Sequence, residues 1–102
     1  MFEDDKRIYK RFPVDCPVEI VWENETVPAR LIELSVISAM IECQADLGNV
    51  QEVHLRTDFT TGVLSGKIVR VEPAGGLFHW ILLFDGLSDK NMEEIFVQLK
   101  AD

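Results

Sequence analysis

A chain of 102 residues, 47% hydrophobic and 27% charged, is the size of one domain and too apolar for a disordered tail. Its net charge of −8 excludes a generic nucleic-acid binder, which needs a surplus of Lys and Arg to release counterions. The longest apolar run, around Trp80 to Phe84, falls far short of the roughly 20 residues of a membrane span.

The first segment reads Met1-Phe2-Glu3-Asp4-Asp5, acidic where a secretory signal is basic, so the expected location is cytoplasmic. The next six residues carry four of the ten basic side chains: Lys6, Arg7, Lys10 and Arg11. From Phe12 onward the balance is 6 basic to 15 acidic residues, a net −9. An acidic body thus carries one compact basic patch near its start. Such a cluster is ordinarily a solvated chain end. Two guanidiniums so close in sequence also make a local anion site, because their forked donors suit phosphate oxygens.

Period-2 alternation then dominates. Val14, Cys16, Val18, Ile20 and Trp22 define a first strand, and Pro17, which has no N–H to donate, places it at an edge or leaves it paired on one side there. Glu23-Asn24-Glu25 is the expected turn, followed by a strand through Val27, Ala29 and Leu31. A third runs from Ala39 to Cys43 and stops at Asp46 to Asn49, with Gly48-Asn49 as the turn signal. A fourth covers Glu52 to Arg56 and closes at Thr60-Thr61-Gly62. A fifth, Val63 to Val71, ends at Pro73-Ala74-Gly75-Gly76, and a sixth, Leu77 to Phe84, is apolar enough to be largely buried.

The period then changes. Met92, Ile95, Phe96 and Leu99 follow the i, i+3, i+4, i+7 stripe of an amphipathic helix over residues 88–100. Ser88 is its N-cap, Asp89 faces the positive end of the dipole, and Leu87 with Met92 forms a hydrophobic staple. Six short strands and one helix predict an all-β fold: a six-stranded antiparallel barrel over 14–84 with the helix against one mouth or side.

Catalytic signals are weak. His54 and His79 each lie alone inside a strand, without a Ser-His-Asp or Cys-His spacing. Cys16 and Cys43 read as small core residues in a reducing compartment, since no CxxC or CxxH pair supports a metal site. Gly75-Gly76 lacks the phosphate-loop context and fits a hairpin turn. A non-catalytic protein with neither metal nor cofactor is expected. Two segments remain: Arg7-Ile8-Tyr9-Lys10-Arg11, an RxxxR pattern before the first strand, and Glu33-Leu34-Ser35-Val36-Ile37-Ser38, at the junction of strands two and three. The hydroxyls and carboxylate of the second read equally as turn residues and a solvated strand end.

Together these features resemble the PilZ domain, the bacterial receptor module for cyclic di-GMP. The resemblance spans nearly the whole chain as a single domain: RxxxR before strand one, a [D/N]xSxxG-like motif between strands two and three, six strands and a terminal helix. Lys6-Arg7 through Val14, Gly66-Lys67-Ile68-Val69-Arg70 and Ile81-Leu82-Leu83-Phe84 are similar to the family's opening and later segments. It implies that Arg7 and Arg11, with Lys6 and Lys10 adding charge, hold phosphates and guanine faces of cyclic di-GMP in residues 1–12. Glu33 would read a guanine edge and Ser35 would bond a phosphate. Two positions depart from the pattern. Glu33 adds a methylene to the family's Asp, and Ser38 replaces glycine, where a positive φ would cost about 1 kcal/mol.

The resemblance therefore implies a receptor or adaptor that responds to cyclic di-GMP and signals to an effector protein or a second copy of itself, without DNA, RNA or membrane insertion. The alternative reading is a PilZ-like protein–protein adaptor that no longer binds the nucleotide.

Overall fold

The computed structural model describes residues 11–44 and 51–100; Lys6, Arg7, Lys10 and the Gly48-Asn49 turn lie outside them. Strands β1 (Phe12–Trp22), β2 (Glu25–Leu34), β3 (Ser38–Cys43), β4 (Glu52–Arg56), β5 (Val63–Ala74) and β6 (Leu77–Phe84) precede one helix, α1 (Asp89–Lys100). The strands pair antiparallel and close a barrel in the order β1-β2-β3-β6-β5-β4. The expected six-stranded barrel with a terminal helix is the observed architecture.

Alternation builds the core. Every second side chain points inward, so Ile20 of β1, Leu31 of β2, Ile41 of β3, Leu55 of β4, Leu64 of β5 and Leu82 of β6 are all sealed from solvent. Trp80 fills the same interior, its indole N–H without a hydrogen-bond acceptor among the described residues. Gly66 of β5 exists because the barrel is tight there. A Cβ at that position would stand 2.7 Å from Leu82 Cγ and 2.8 Å from the Leu83 carbonyl oxygen.

Pro17 behaves as the sequence requires. It pairs with Arg30 of β2, while the β1–β4 ladder is confined to Glu19–Val21. Several boundaries differ from expectation. The first turn is two residues, Glu23-Asn24, because Trp22 pairs directly with Glu25; Glu23 takes φ 49°, the left-handed conformation such hairpins require. β2 accordingly starts before Val27 and continues past Leu31 to Leu34, and β1 begins at Phe12. β5 runs through Pro73 to Ala74, since beyond Ile68 it pairs only with β6 and no second ladder requires the missing N–H. Gly75-Gly76 alone then makes the turn, with φ 59° and 88°.

The expectation that β6 is largely buried is corrected. Trp80 and Leu82 are buried, but the opposite parity carries Ile81 and Leu83, and Leu83 is 42% exposed. The strand is apolar on both faces, and the barrel has only one inside.

The helix expectation is also narrowed. Ser88 caps α1, its Oγ accepting the Asn91 N–H at 3.0 Å. Of the apolar stripe, Ile95 is fully buried and Leu99 packs against the core, whereas Met92 and Phe96 are 37% and 44% exposed. Polar contacts complete the docking. Glu94 accepts hydrogen bonds from the Thr61 N–H and hydroxyl, and Gln98 Nε2 donates to Cys16 Sγ. The helix thus lies over the part of β1 that lacks a β4 neighbour. Cys16 is half-buried beneath it rather than a core residue, and burial pushes its thiol pKa up; Cys43 is buried.

Candidate functional site

The conjunction of Arg11 with the β2–β3 connection is set by register. Phe12 pairs with Leu34 and Pro13 with Glu33, so the chain entering β1 at Arg11 passes the end of β2 at Ser35. Arg11 and Glu33 then lie diagonally across the two strands, within reach of long side chains. Arg11 Nε stands 3.3 Å from Glu33 Oε1, with side-chain exposures of 32% and 37%. The Nη1 of the same guanidinium is buried without a partner among the described residues.

The Ser35–Ser38 turn closes on itself. Ser35 N donates to the Ser38 carbonyl at 2.8 Å, and Ser35 Oγ accepts the N–H groups of Ile37 and Ser38 at 3.1 and 2.9 Å. Its hydroxyl also lies 3.1 Å from Ser38 Oγ and can donate to the Ser38 carbonyl. Ser35 is fully buried and Ser38 only 6% exposed. Both hydroxyls are therefore committed inside the turn, which is the arrangement of a serine that organises backbone. The strain expected at Ser38 is absent. Among described non-glycine residues only Glu23 has positive φ, so Ser38 sits in ordinary backbone at the start of β3.

Sequence reasoning missed the surface beside this turn. Glu33 pairs with Met40 and Met40 with Ile81, a row running outward-facing from β2 across β3 to β6. Their sequence neighbours Ala39, Ile41, Trp80 and Leu82 point inward and are buried. Leu83 opposite Ser38, Ile37 in the turn and Val69 at the β5 bulge extend the row, at 42%, 39% and 54% exposure. The signal was present in the apolar residues of both parities in β6. Arginine, carboxylate and apolar sheet thus share one face, which suits a ligand carrying both anionic groups and flat apolar rings.

The other candidates lie apart. His54 Nδ1 meets Ser65 Oγ at 3.0 Å and His79 Nε2 meets Glu42 Oε2 at 3.1 Å, each a cross-strand pair on the outer wall. Among the described residues no group of three or more His, Cys, Asp or Glu could hold a metal ion, and no helix is long and apolar enough to cross a membrane. A cleft of about 460 Å³ lined by Trp22, Glu52, His54, Ser65 and Asp85 touches none of Arg11, Glu33, Ser35 and Ser38.

Comparison with known proteins agrees with this geometry. The family model of the PilZ domain matches residues 5–100. A crystal structure of the PilZ domain of CeSA from a cellulose-synthesizing bacterium superposes with a TM-score of 0.63 at 20% identity, over 90% of this chain and 96% of that one. No curated protein matches the chain.

Proposed function

We propose that this chain, which belongs to the PilZ domain family, is a non-catalytic cytoplasmic receptor that binds cyclic di-GMP and passes the signal to an effector protein or a second copy of itself. The observation that carries this reading is the position of Arg11. Its guanidinium sits on the barrel face formed by the Ser35–Ser38 turn, already holding an oxyanion in the form of the Glu33 carboxylate. A phosphodiester oxygen offers the same chemistry to the same donors. The outward row of Met40, Ile81 and Leu83 supplies an apolar floor on which a guanine can lie. Arg7, four residues before Arg11 in the RxxxR pattern, would take the second phosphate or a guanine face.

One observation favours the second reading, a protein adaptor without nucleotide. Ser35 is buried and its hydroxyl spent within the turn, so it offers a phosphate nothing without rearrangement. Isothermal titration calorimetry with cyclic di-GMP separates the two. The receptor binds with Kd below about 100 μM, and Arg11→Ala weakens it at least tenfold, the loss of a charge-assisted hydrogen bond. Absence of heat at about 100 μM ligand would leave the adaptor reading.

A further inference from the structure

We infer that Glu33 is a built-in competitor of the ligand: its carboxylate occupies Arg11, and binding proceeds by exchange of Glu33 for a phosphate oxygen. The inference rests on the functional reading above and assigns Glu33 the opposite role to that of a guanine-reading acid.

Comparison among the described arginines carries it. Arg30, Arg56 and Arg70 pair with Asp15, Glu19 and Glu72 on the open surface, their side chains 54% to 67% exposed. Arg11 is drawn in to 32% exposure, and its ion pair at 3.3 Å is the longest of the four. It engages Glu33 through Nε, while Nη1 is buried with no partner among the described residues. A guanidinium held through one nitrogen with another left unsatisfied is poorly served, because a desolvated donor without an acceptor carries a penalty. A phosphate taking the end-on fork through Nη1 and Nη2 would satisfy Nη1, and its charge would then compete with the Glu33 carboxylate for one guanidinium. The closed pair is therefore weak enough to be displaced, and its carboxylate opposes any anion arriving at the same guanidinium.

The length of Glu33 matters to this contact. Glu33 lies between β1 and β3, paired with both Pro13 and Met40, and must cross diagonally to reach Arg11. An Asp there would be one methylene shorter. The carboxylate that contacts Arg11 is engaged on the β1 side of Glu33, whereas Met40 flanks Glu33 on the β3 side.

The test is the sign of the effect at position 33. Cyclic di-GMP is titrated into the wild-type chain, Glu33→Gln and Glu33→Ala, with folding checked by thermal melts. Competition predicts that both variants bind about twofold to fivefold more tightly, the range expected for release of a partly exposed ion pair. Should Glu33→Ala fold poorly, Glu33→Gln carries the test, since it keeps the shape and removes the charge. Equal or weaker binding by Glu33→Gln, with the wild type binding, overturns the competitor role and leaves the receptor reading standing. No heat from any of the three overturns the receptor reading, and the competitor role with it.

Discussion

Ser35 illustrates how a residue's type and its task can diverge. A hydroxyl four residues after Leu31, at a strand junction, is legible as a turn residue and equally as a phosphate ligand. What decides between them is which way Oγ points, and that follows from the tertiary closure of β2 onto β3. Its two acceptor contacts to the Ile37 and Ser38 N–H groups make a direct prediction. Ser35→Ala leaves the buried Ser38 amide and the part-buried Ile37 amide without this acceptor and should cost roughly 1–3 kcal/mol in urea denaturation. A cost near zero would show that the turn does not depend on the hydroxyl. Arg11 and Glu33 were legible as a pair of candidate ligand residues, but their contact with each other was not. It depends on the diagonal set by Phe12 pairing with Leu34, a register that no local pattern specifies.

At the scale of elements, the strands were legible wherever one parity was apolar and the other polar, as in β1 and β4. They misled where both were apolar. β6 reads as a buried strand because Ile81 and Leu83 accompany Trp80 and Leu82, and the barrel can enclose only one of those sets. The inner side of this wall leaves no spare volume at Gly66. Gly66→Ala should therefore destabilise the fold by about 1–3 kcal/mol, the usual penalty for overpacking, through collision with Leu82 and the Leu83 carbonyl. A melting temperature equal to that of the wild type would contradict this packing.

Helix α1 is a related case: the stripe Met92, Ile95, Phe96 and Leu99 marks an amphipathic helix, yet only Ile95 and Leu99 of it pack on the core, with Glu94 and Gln98 making polar attachments. Glu94 makes this docking sensitive to acid. The Thr61 N–H and hydroxyl, with a smaller contribution from Asn91, hold its carboxyl below the ordinary 4.5. A carboxyl lowered by folding contributes stability that is present above its unfolded value and lost as pH falls through the folded one. Melting temperature should drop as pH is taken below about 4.5. Glu94→Gln should melt lower at pH 7 and show a shallower acid limb, and an unchanged pH profile in that variant would place the sensitivity elsewhere.

For the molecule as a whole, a six-stranded barrel with a terminal helix could be anticipated from the strand count and the change of period, whereas the order β1-β2-β3-β6-β5-β4 could not, and closure leaves an acidic body with Arg11 at the end of its basic segment. Net charge set aside long polyanions; it did not set aside a small dianion received at one face. We place the landing site of cyclic di-GMP on this face, with Arg11, Glu33, Met40, Ile81 and Leu83. Backbone amide shifts of the ¹⁵N-labelled chain, followed by NMR as cyclic di-GMP is added, test that location directly. Saturable shifts should concentrate at Arg11, Glu33, Ile37, Met40, Ile81 and Leu83, with α1 and the Trp22–Asp85 cleft unmoved. Shifts confined to that cleft or to α1, or none at about 100 μM ligand, would contradict this placement.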